Sequence, residues 1–386
     1  MPFKRRQKAG VPPNDDPTPK RRRKAGVPPN EDPTTPLRLP RTRRRSSPAE
    51  PITSGTGPSV SDGAGVAEVI GTTAVPQIIV GSPSPQVEPS TIAADYRTLP
   101  FRPDVVIDGW STDAMIVRGV SQRGHLHRYN GAPRQDDFAV HHLPDGRVIV
   151  LVADGVSGAP QSHIGASTAT RQAAVWLHDD LGDNVADTDW SALLKSTAWA
   201  LTERAQALLG LAEPDPVRAE EQLATTLMCA VIEPTGPRAL RAHLVGAGDS
   251  VAWLLSAGRF QAVLGGKPEP ASGIASSAVV GLPRVPKEVT PVVVDVKDDD
   301  VLLIATDGIG DPLGTGQGGV GNLFRDVLTR SCPPSLIEFA HAVDFSRETF
   351  DDDRTLVAVW PRTPAPPPTG RHARNTNSAS AVEGLR

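Results

Sequence analysis

The chain has 386 residues and a net charge of −4, a length that allows one large domain or two ordinary ones. Its two cysteines, Cys229 and Cys332, exclude a disulfide framework and a zinc-finger spacing and fit a reducing cytoplasm, the expected location. No apolar run approaches the ~18–20 residues of a membrane-spanning helix, and the charged N-terminus lacks the apolar core of a secretory signal.

Charge is unevenly spread. Residues 1–46 hold 14 Lys/Arg against 4 Asp/Glu, a net +10, so the remainder carries −14. The first 95 residues are rich in Pro, Ser, Thr, Gly and Arg and lack hydrophobic periodicity, so they read as a disordered basic arm. KRRQKAGVPPNDDPTP at 4–19 returns as KRRRKAGVPPNEDPTTP at 20–36, a 16-residue duplication too short and polar for a solenoid. No aromatic residues interleave the basic clusters, so nucleic-acid binding has no support beyond the charge of the arm. Only 66–81 is apolar enough to touch a folded body.

The folded domain is expected over 105–361. Residues 114–124 predict a first strand, and 134–155 a hairpin turning at Pro144-Asp145-Gly146. Helices are expected at 164–181 and 190–213. Strands follow at 225–233, 238–248, 250–264, 289–296 and 301–306. Two more helices, at 321–330 and 335–345, precede a last strand at 354–360. Strand runs grouped with helix pairs predict an α+β architecture, two stacked antiparallel sheets each covered by helices. The tail, 362–386, is expected to be disordered.

One pattern recurs. The apolar run Val148–Ala153 stops at Asp154-Gly155, and VLLIAT at 301–306 stops at Asp307-Gly308. RAHLVGAG at 241–248 runs into Asp249-Ser250, and Asp351-Asp352-Asp353 leads into the last strand. A single Asp-Gly is usually a turn. Several acids at the mouths of separate apolar strands are costly unless cations meet them. Carboxylates without His or Cys suit Mg²⁺ or Mn²⁺ rather than zinc. Two such ions bridged by one Asp activate a water and clamp a phosphoryl oxygen, which gives hydrolysis without a covalent intermediate.

In order and spacing these motifs resemble the metal-dependent protein phosphatases of the 2C type, bacterial in style. The family's Asn-Glu/Gln-Asp run is matched by Arg134-Gln135-Asp136-Asp137, and its first Asp-Gly by Asp154-Gly155. Its Gly-Thr-Thr strand is echoed by Ala224-Thr225-Thr226, its Gly-Asp-Ser by Gly248-Asp249-Ser250, its second Asp-Gly by Asp307-Gly308, and its closing Asp-Asn-x-Thr by Asp352-Asp353-Arg354-Thr355. The resemblance spans roughly 114–360 and implies an αββα sandwich that binds two Mn²⁺ or Mg²⁺ ions, with a third ion open. It implies that Asp154 bridges the ions, that the Gly155 carbonyl contributes to one, and that Asp307 and Asp352 hold the other. Asp249 is either a ligand of the third ion or a buried acid in a tight turn. Asp136 is expected to orient a metal-bound water.

The chain departs from the family where substrate is bound. The family's phosphate-binding Arg lies five residues before the first-motif Asp, and here that position is Gly131. Arg128 and Arg134 are the nearby replacements, Arg gripping phosphate better than His. The position two beyond Asp154 is Val156, apolar as in bacterial members, where many animal members have His. Leaving-group protonation then falls to metal-bound water or His127. The activity implied is a serine/threonine protein phosphatase acting on a phosphoprotein and opposing a cognate kinase. The rival from another class is a weak or inactive phosphatase-fold module that binds a partner through the same cleft. Two further motifs lack their context: Gly248-Asp249-Ser250 as an esterase nucleophile, and Gly314–Gly319 as a dinucleotide loop.

Overall fold

The computed structural model describes residues 75–85, 88–96, 103–266 and 280–362; the duplication, the rest of the arm before residue 75 and the tail from 363 lie outside them. In the run Val148–Ala153, Ile149, Leu151 and Ala153 enter one core. Val148, Val150 and Val152 enter another. A strand whose successive side chains all find apolar partners lies between two layers. Val301–Ala305 behaves the same way, with Leu302 and Ile304 facing that shared core. Its Val301, Leu303 and Ala305 face a third core.

The elements in chain order are β1 (Val105–Ser111), β2 (Met115–Gln122), α1 (His125–Asn130), β3 (Asp137–His142), β4 (Val148–Ala153), α2 (Ser162–Asp180), α3 (Trp190–Leu209), α4 (Pro216–Leu223), β5 (Leu227–Gly236) and β6 (Ala239–Ala247). They continue with β7 (Val251–Ser256), β8 (Arg259–Gly265), β9 (Val292–Val296), β10 (Val301–Ala305), α5 (Asp307–Leu313), α6 (Gly319–Leu328), α7 (Leu336–Val343) and β11 (Arg354–Pro361). One sheet has the order β1-β2-β11-β10-β7-β8 and the other β3-β4-β5-β6-β9. Neighbouring strands in both are antiparallel. Helices α2, α3 and α4 cover the five-stranded sheet, and α5, α6 and α7 the six-stranded one. This is the αββα sandwich expected from the sequence. Among the described residues no helix is long and apolar enough to cross a membrane.

Several local features escape the pattern of the sequence. β1 is a half-buried edge strand whose side chains do not alternate cleanly. Helices α1, α4 and α5 span only 6, 8 and 7 residues, too short to display a helical period. The helix expected to reach residue 213 stops at Leu209, with Gly210 as its cap. Residues 314–318 form the turn between α5 and α6, Gly319 begins α6, and no strand directly precedes them, so this is not a dinucleotide loop.

Residues 75–85 and 88–96, all but the last of which the sequence places in the arm, lie along the body. Val80 N–H donates to the Ser346 carbonyl at 2.9 Å and Ser346 N–H to the Ile78 carbonyl at 2.8 Å. Ile78 and Val80 pack against the core under the six-stranded sheet.

Candidate metal centre

Strand ends deliver the acids to one place. Asp154 follows β4, Asp249 lies between β6 and β7, Asp307 begins α5 directly after β10, and Asp352 precedes β11. One ligand-capable oxygen from each of Asp154, Asp249 and Asp307 falls within 4.8 Å of the others. A second group of the same compactness is formed by His127, Asp352 and Asp353.

Asp154 is held through its backbone. Its carbonyl accepts from Thr226 N–H at 2.7 Å and from the Thr225 hydroxyl at 2.8 Å. Its own N–H donates to Thr226 Oγ1 at 2.9 Å. Thr226 Oγ1 in turn lies 2.8 Å from Ser250 Oγ. The Thr225-Thr226 pair therefore splints Asp154 to the Asp249-Ser250 turn and leaves the Asp154 carboxylate to face the other acids. Gly155 bridges to Thr225 across the same junction.

Burial, then the carboxylates of Asp136, Asp307 and Asp352, push the Asp154 carboxyl well above its ordinary range. Asp136 is 1% exposed. Burial and the Asp353 and Asp352 charges raise it too, against the Thr306 and Thr355 hydroxyls that donate to it, both at 2.8 Å. Asp352 stands at the solvent edge of the cluster, yet desolvation and the neighbouring Asp353 and Asp307 push it up to about 6. The neighbours that dominate Asp154 are all carboxylates. Hard oxygen donors gathered at this density fit a divalent cation of the Mg²⁺ or Mn²⁺ kind.

This repulsion has a measurable sign. Asp352 has a folded pKa above its unfolded one, so its charge costs stability once pH exceeds the folded value, and the cost vanishes below the unfolded value. In EDTA, Asp352→Asn is expected to melt above wild type at about pH 7, and the gap is expected to close towards about pH 4. Saturating Mn²⁺ should reverse the order at neutral pH. Thermal melts across that range with each metal condition check it.

The acid beside Asp352 has a different task. Asp353 is 2% exposed. Its Oδ1 accepts from Gly124 N–H at 2.6 Å and meets His127 Nδ1 at 2.9 Å, while Oδ2 accepts from Gln135 N–H. Burial opposes charge on His127, but Asp353, with Asp352 and Asp136 behind it, outweighs burial and raises the imidazole to about 9. His127, expected as a proton donor, lies 2.9 Å from Asp353, a pairing that favours its protonated form. Gly124 is required here, because a Cβ would lie 2.3 Å from the Asp351 carbonyl oxygen and from the Asp352 carbonyl carbon.

The expected phosphate arginines are placed differently. Arg134 is 1% exposed; it donates to Ser121 and lies 3.8 Å from Asp137. Ser121 Oγ is 2.7 Å from the Thr355 hydroxyl, so Arg134 belongs to the buried network behind Asp136. Arg128, on α1, is paired with Asp104 at 3.0 Å and Asp344 at 3.5 Å. Gly131 caps α1 in the left-handed region at φ +67°, and a Cβ there would lie 2.2 Å from the Thr91 carbonyl. The missing family Arg therefore has no room at this position. Gly131→Arg is expected to lower stability by about 1–3 kcal/mol without any gain in turnover, measured by urea unfolding beside an activity assay.

The residues that sequence reasoning missed are the hydroxyls of Ser121, Thr306 and Thr355 and the clasp between His127 and Asp353. Thr306 adjoins Asp307, and Thr355 closes the last motif two residues after Asp353, which is the local signal they carry.

The sandwich brings to the ends of its strands carboxylates that could hold a metal ion. The sequence matches Protein phosphatase 2C over residues 123–338, and the chain belongs to that family. A comparison with curated proteins finds no match. Among solved structures, the Mycobacterium tuberculosis serine/threonine phosphatase PstP/Ppp is 18% identical, with 64% of this chain and 99% of that one covered at a TM-score of 0.42. The PstP catalytic domain in complex with two manganese ions is likewise 18% identical, with 64% and 99% covered at a TM-score of 0.44. PppA, a regulatory component of the type VI secretion system in Pseudomonas aeruginosa, is 18% identical, with 66% and 100% covered at 0.42.

Proposed function

We propose that the chain is a Mn²⁺- or Mg²⁺-dependent phosphatase that hydrolyses phosphoserine and phosphothreonine in proteins. The observation that carries this reading is the convergence of Asp154, Asp249 and Asp307 within 4.8 Å, with Asp352 at their solvent edge, in a chain of the protein phosphatase 2C family. Asp154, Asp307, Asp352 and the Gly155 carbonyl would hold two ions, and Asp249 offers a ligand to a third. Such ions supply Lewis-acid polarisation of a phosphoryl oxygen and a water of lowered pKa.

The chain's own residues do the rest. The backbone splint at Thr225-Thr226 fixes Asp154 so that its carboxylate needs no reorganisation when the substrate arrives. Asp136, locked by Thr306 and Thr355, acts as a fixed acceptor behind the centre. His127, 2.9 Å from Asp353, helps to hold the Asp352 loop, and the raised pKa that this pairing brings keeps a proton on the imidazole for the leaving group. Arg128 remains the cationic group for a substrate phosphate, at the cost of its pairs with Asp104 and Asp344. Arg134 supports the buried network. The basic arm is suited to recruiting an acidic partner, and the activity opposes a protein kinase.

Phosphate release from phosphoserine, phosphothreonine and phosphotyrosine peptides in Mn²⁺ tests the substrate class. Release from the first two and little from the third is expected. Preference for phosphotyrosine, or release only from small-molecule phosphates, overturns it.

A further inference from the structure

We infer that the stretches 75–85 and 88–96 act as a strap that positions the Asp352 ligand loop, and that Ser84 is its positioning residue. The inference rests on the reading of Asp352 as a metal ligand.

Two stitches define the strap. The first joins it to the loop that carries Asp352. Ile79 forms a parallel bridge with Ser346, and Glu348 N–H donates to the Ser82 carbonyl at 2.7 Å. Ser84, 5% exposed, donates its N–H to Ser346 Oγ at 2.9 Å. The Ser84 hydroxyl lies 2.9 Å from the Arg347 carbonyl and 2.8 Å from Asp351 Oδ1, sharing its proton between them. The second stitch joins the strap to α1. Ser90 N–H donates to the Arg128 carbonyl at 2.9 Å and Ala93 N–H to the Gly131 carbonyl at 3.0 Å. Ser90 Oγ donates to the Tyr129 carbonyl at 2.8 Å.

The first stitch reaches the residue before Asp352, and the second holds α1, which carries His127. Before Asp352, Asp351 is held at its side chain by Ser84 and at its carbonyl by Leu126 N–H of α1, 3.1 Å away. After it, Asp353 is held by Gly124, Gln135 and His127. A ligand flanked by two fixed residues pays little ordering entropy when a cation binds. Of the partners fixing Asp351, Ser84 is the one supplied from outside the family-matched region, 123–338. Removing its hydroxyl frees the Asp351 side chain and lets the ligand wander without touching any coordinating atom.

The test uses the full chain. Mn²⁺ affinity is measured by calorimetry, and Mn²⁺ half-saturation and kcat by turnover, for wild type, Ser84→Ala, Asp351→Ala, their double variant and Ser82→Ala. Loss of an outer-shell partner lowers metal affinity by about 10–100-fold. Ser84 acts one residue removed from the ligand, so Ser84→Ala is expected to weaken Mn²⁺ binding by less than that, about 3–10-fold, with kcat at saturating Mn²⁺ close to wild type. Asp351→Ala is expected to do the same, the double variant no more than either, because both remove one contact. Ser82→Ala, which loses only an exposed side chain, is expected to match wild type. A Ser84→Ala protein with lowered Tm but unchanged Mn²⁺ affinity overturns the strap's positioning role, as does full additivity of the two substitutions. Wild type that binds Mn²⁺ in calorimetry but releases no phosphate defeats the phosphatase reading alone, since the affinity comparison still stands.

Discussion

Asp154→Asn is expected to abolish Mn²⁺-dependent phosphate release, by at least about 10²-fold, because losing a ligand exceeds the effect of losing an outer-shell partner. The substitution keeps the shape of the side chain. It also keeps the contacts that fix the residue, since Thr225 and Thr226 bind the Asp154 backbone rather than its carboxylate. The same change removes one charge from a group in which Asp136, Asp307 and Asp352 all repel it. The variant is therefore expected to melt higher than wild type in EDTA and lower in saturating Mn²⁺. A loss of turnover with a gain of metal-free stability separates a ligand from a structural acid, whose removal would lower both. Turnover measured beside melts in EDTA and in Mn²⁺ supplies the comparison.

Asp353→Ala is expected to show the opposite balance. It strands the Gly124 and Gln135 N–H groups and leaves the His127 imidazolium without its partner in a buried site. Breaking a buried charged pair by removing one member costs about 3–5 kcal/mol, which for a domain of this size lowers Tm on the order of 10 °C. Asp353→Asn keeps one carbonyl oxygen for Gly124 and presents an amide to Gln135 N–H, so a smaller loss of about 1–3 kcal/mol is expected. In both variants the His127 pKa is expected to fall from about 9, because the charge that raises it is gone. Urea unfolding and an NMR titration of the imidazole check the two halves. An unchanged midpoint and an unchanged His127 titration would remove Asp353 from the account of how the Asp352 loop is held.

The contrast between these two neighbours marks how far the sequence could be read. The strands that deliver the acids were legible because β4 and β10 are buried on both faces and appear as unbroken apolar runs ending in Asp. The motif order was legible because each acid follows or precedes such a run. The clasp of His127 on Asp353 was not, since it joins residues 226 positions apart and α1 is a single short turn of helix without a period. Arg134 looked like a phosphate ligand because it lies two residues before Asp136, but a one-dimensional spacing says nothing about whether a guanidinium turns outward or towards Ser121. The gap at Gly131 looked like a lost contact; in three dimensions it is a helix cap pressed against Thr91. The strap was hidden by its composition. Its Pro and Ser residues resemble the arm before it, and its order comes from hydrogen bonds to residues 128–131 and 346–351 rather than from any pattern of its own.

The most direct measurement is hydrolysis of p-nitrophenyl phosphate by the purified chain in Mn²⁺ and in EDTA, with folding confirmed in each condition by circular dichroism. Turnover that requires Mn²⁺, stops in EDTA and returns when Mn²⁺ is restored is the predicted result. Folded protein that turns over equally in EDTA, or not at all with any divalent cation, would contradict the assignment of this acid cluster as a catalytic metal centre.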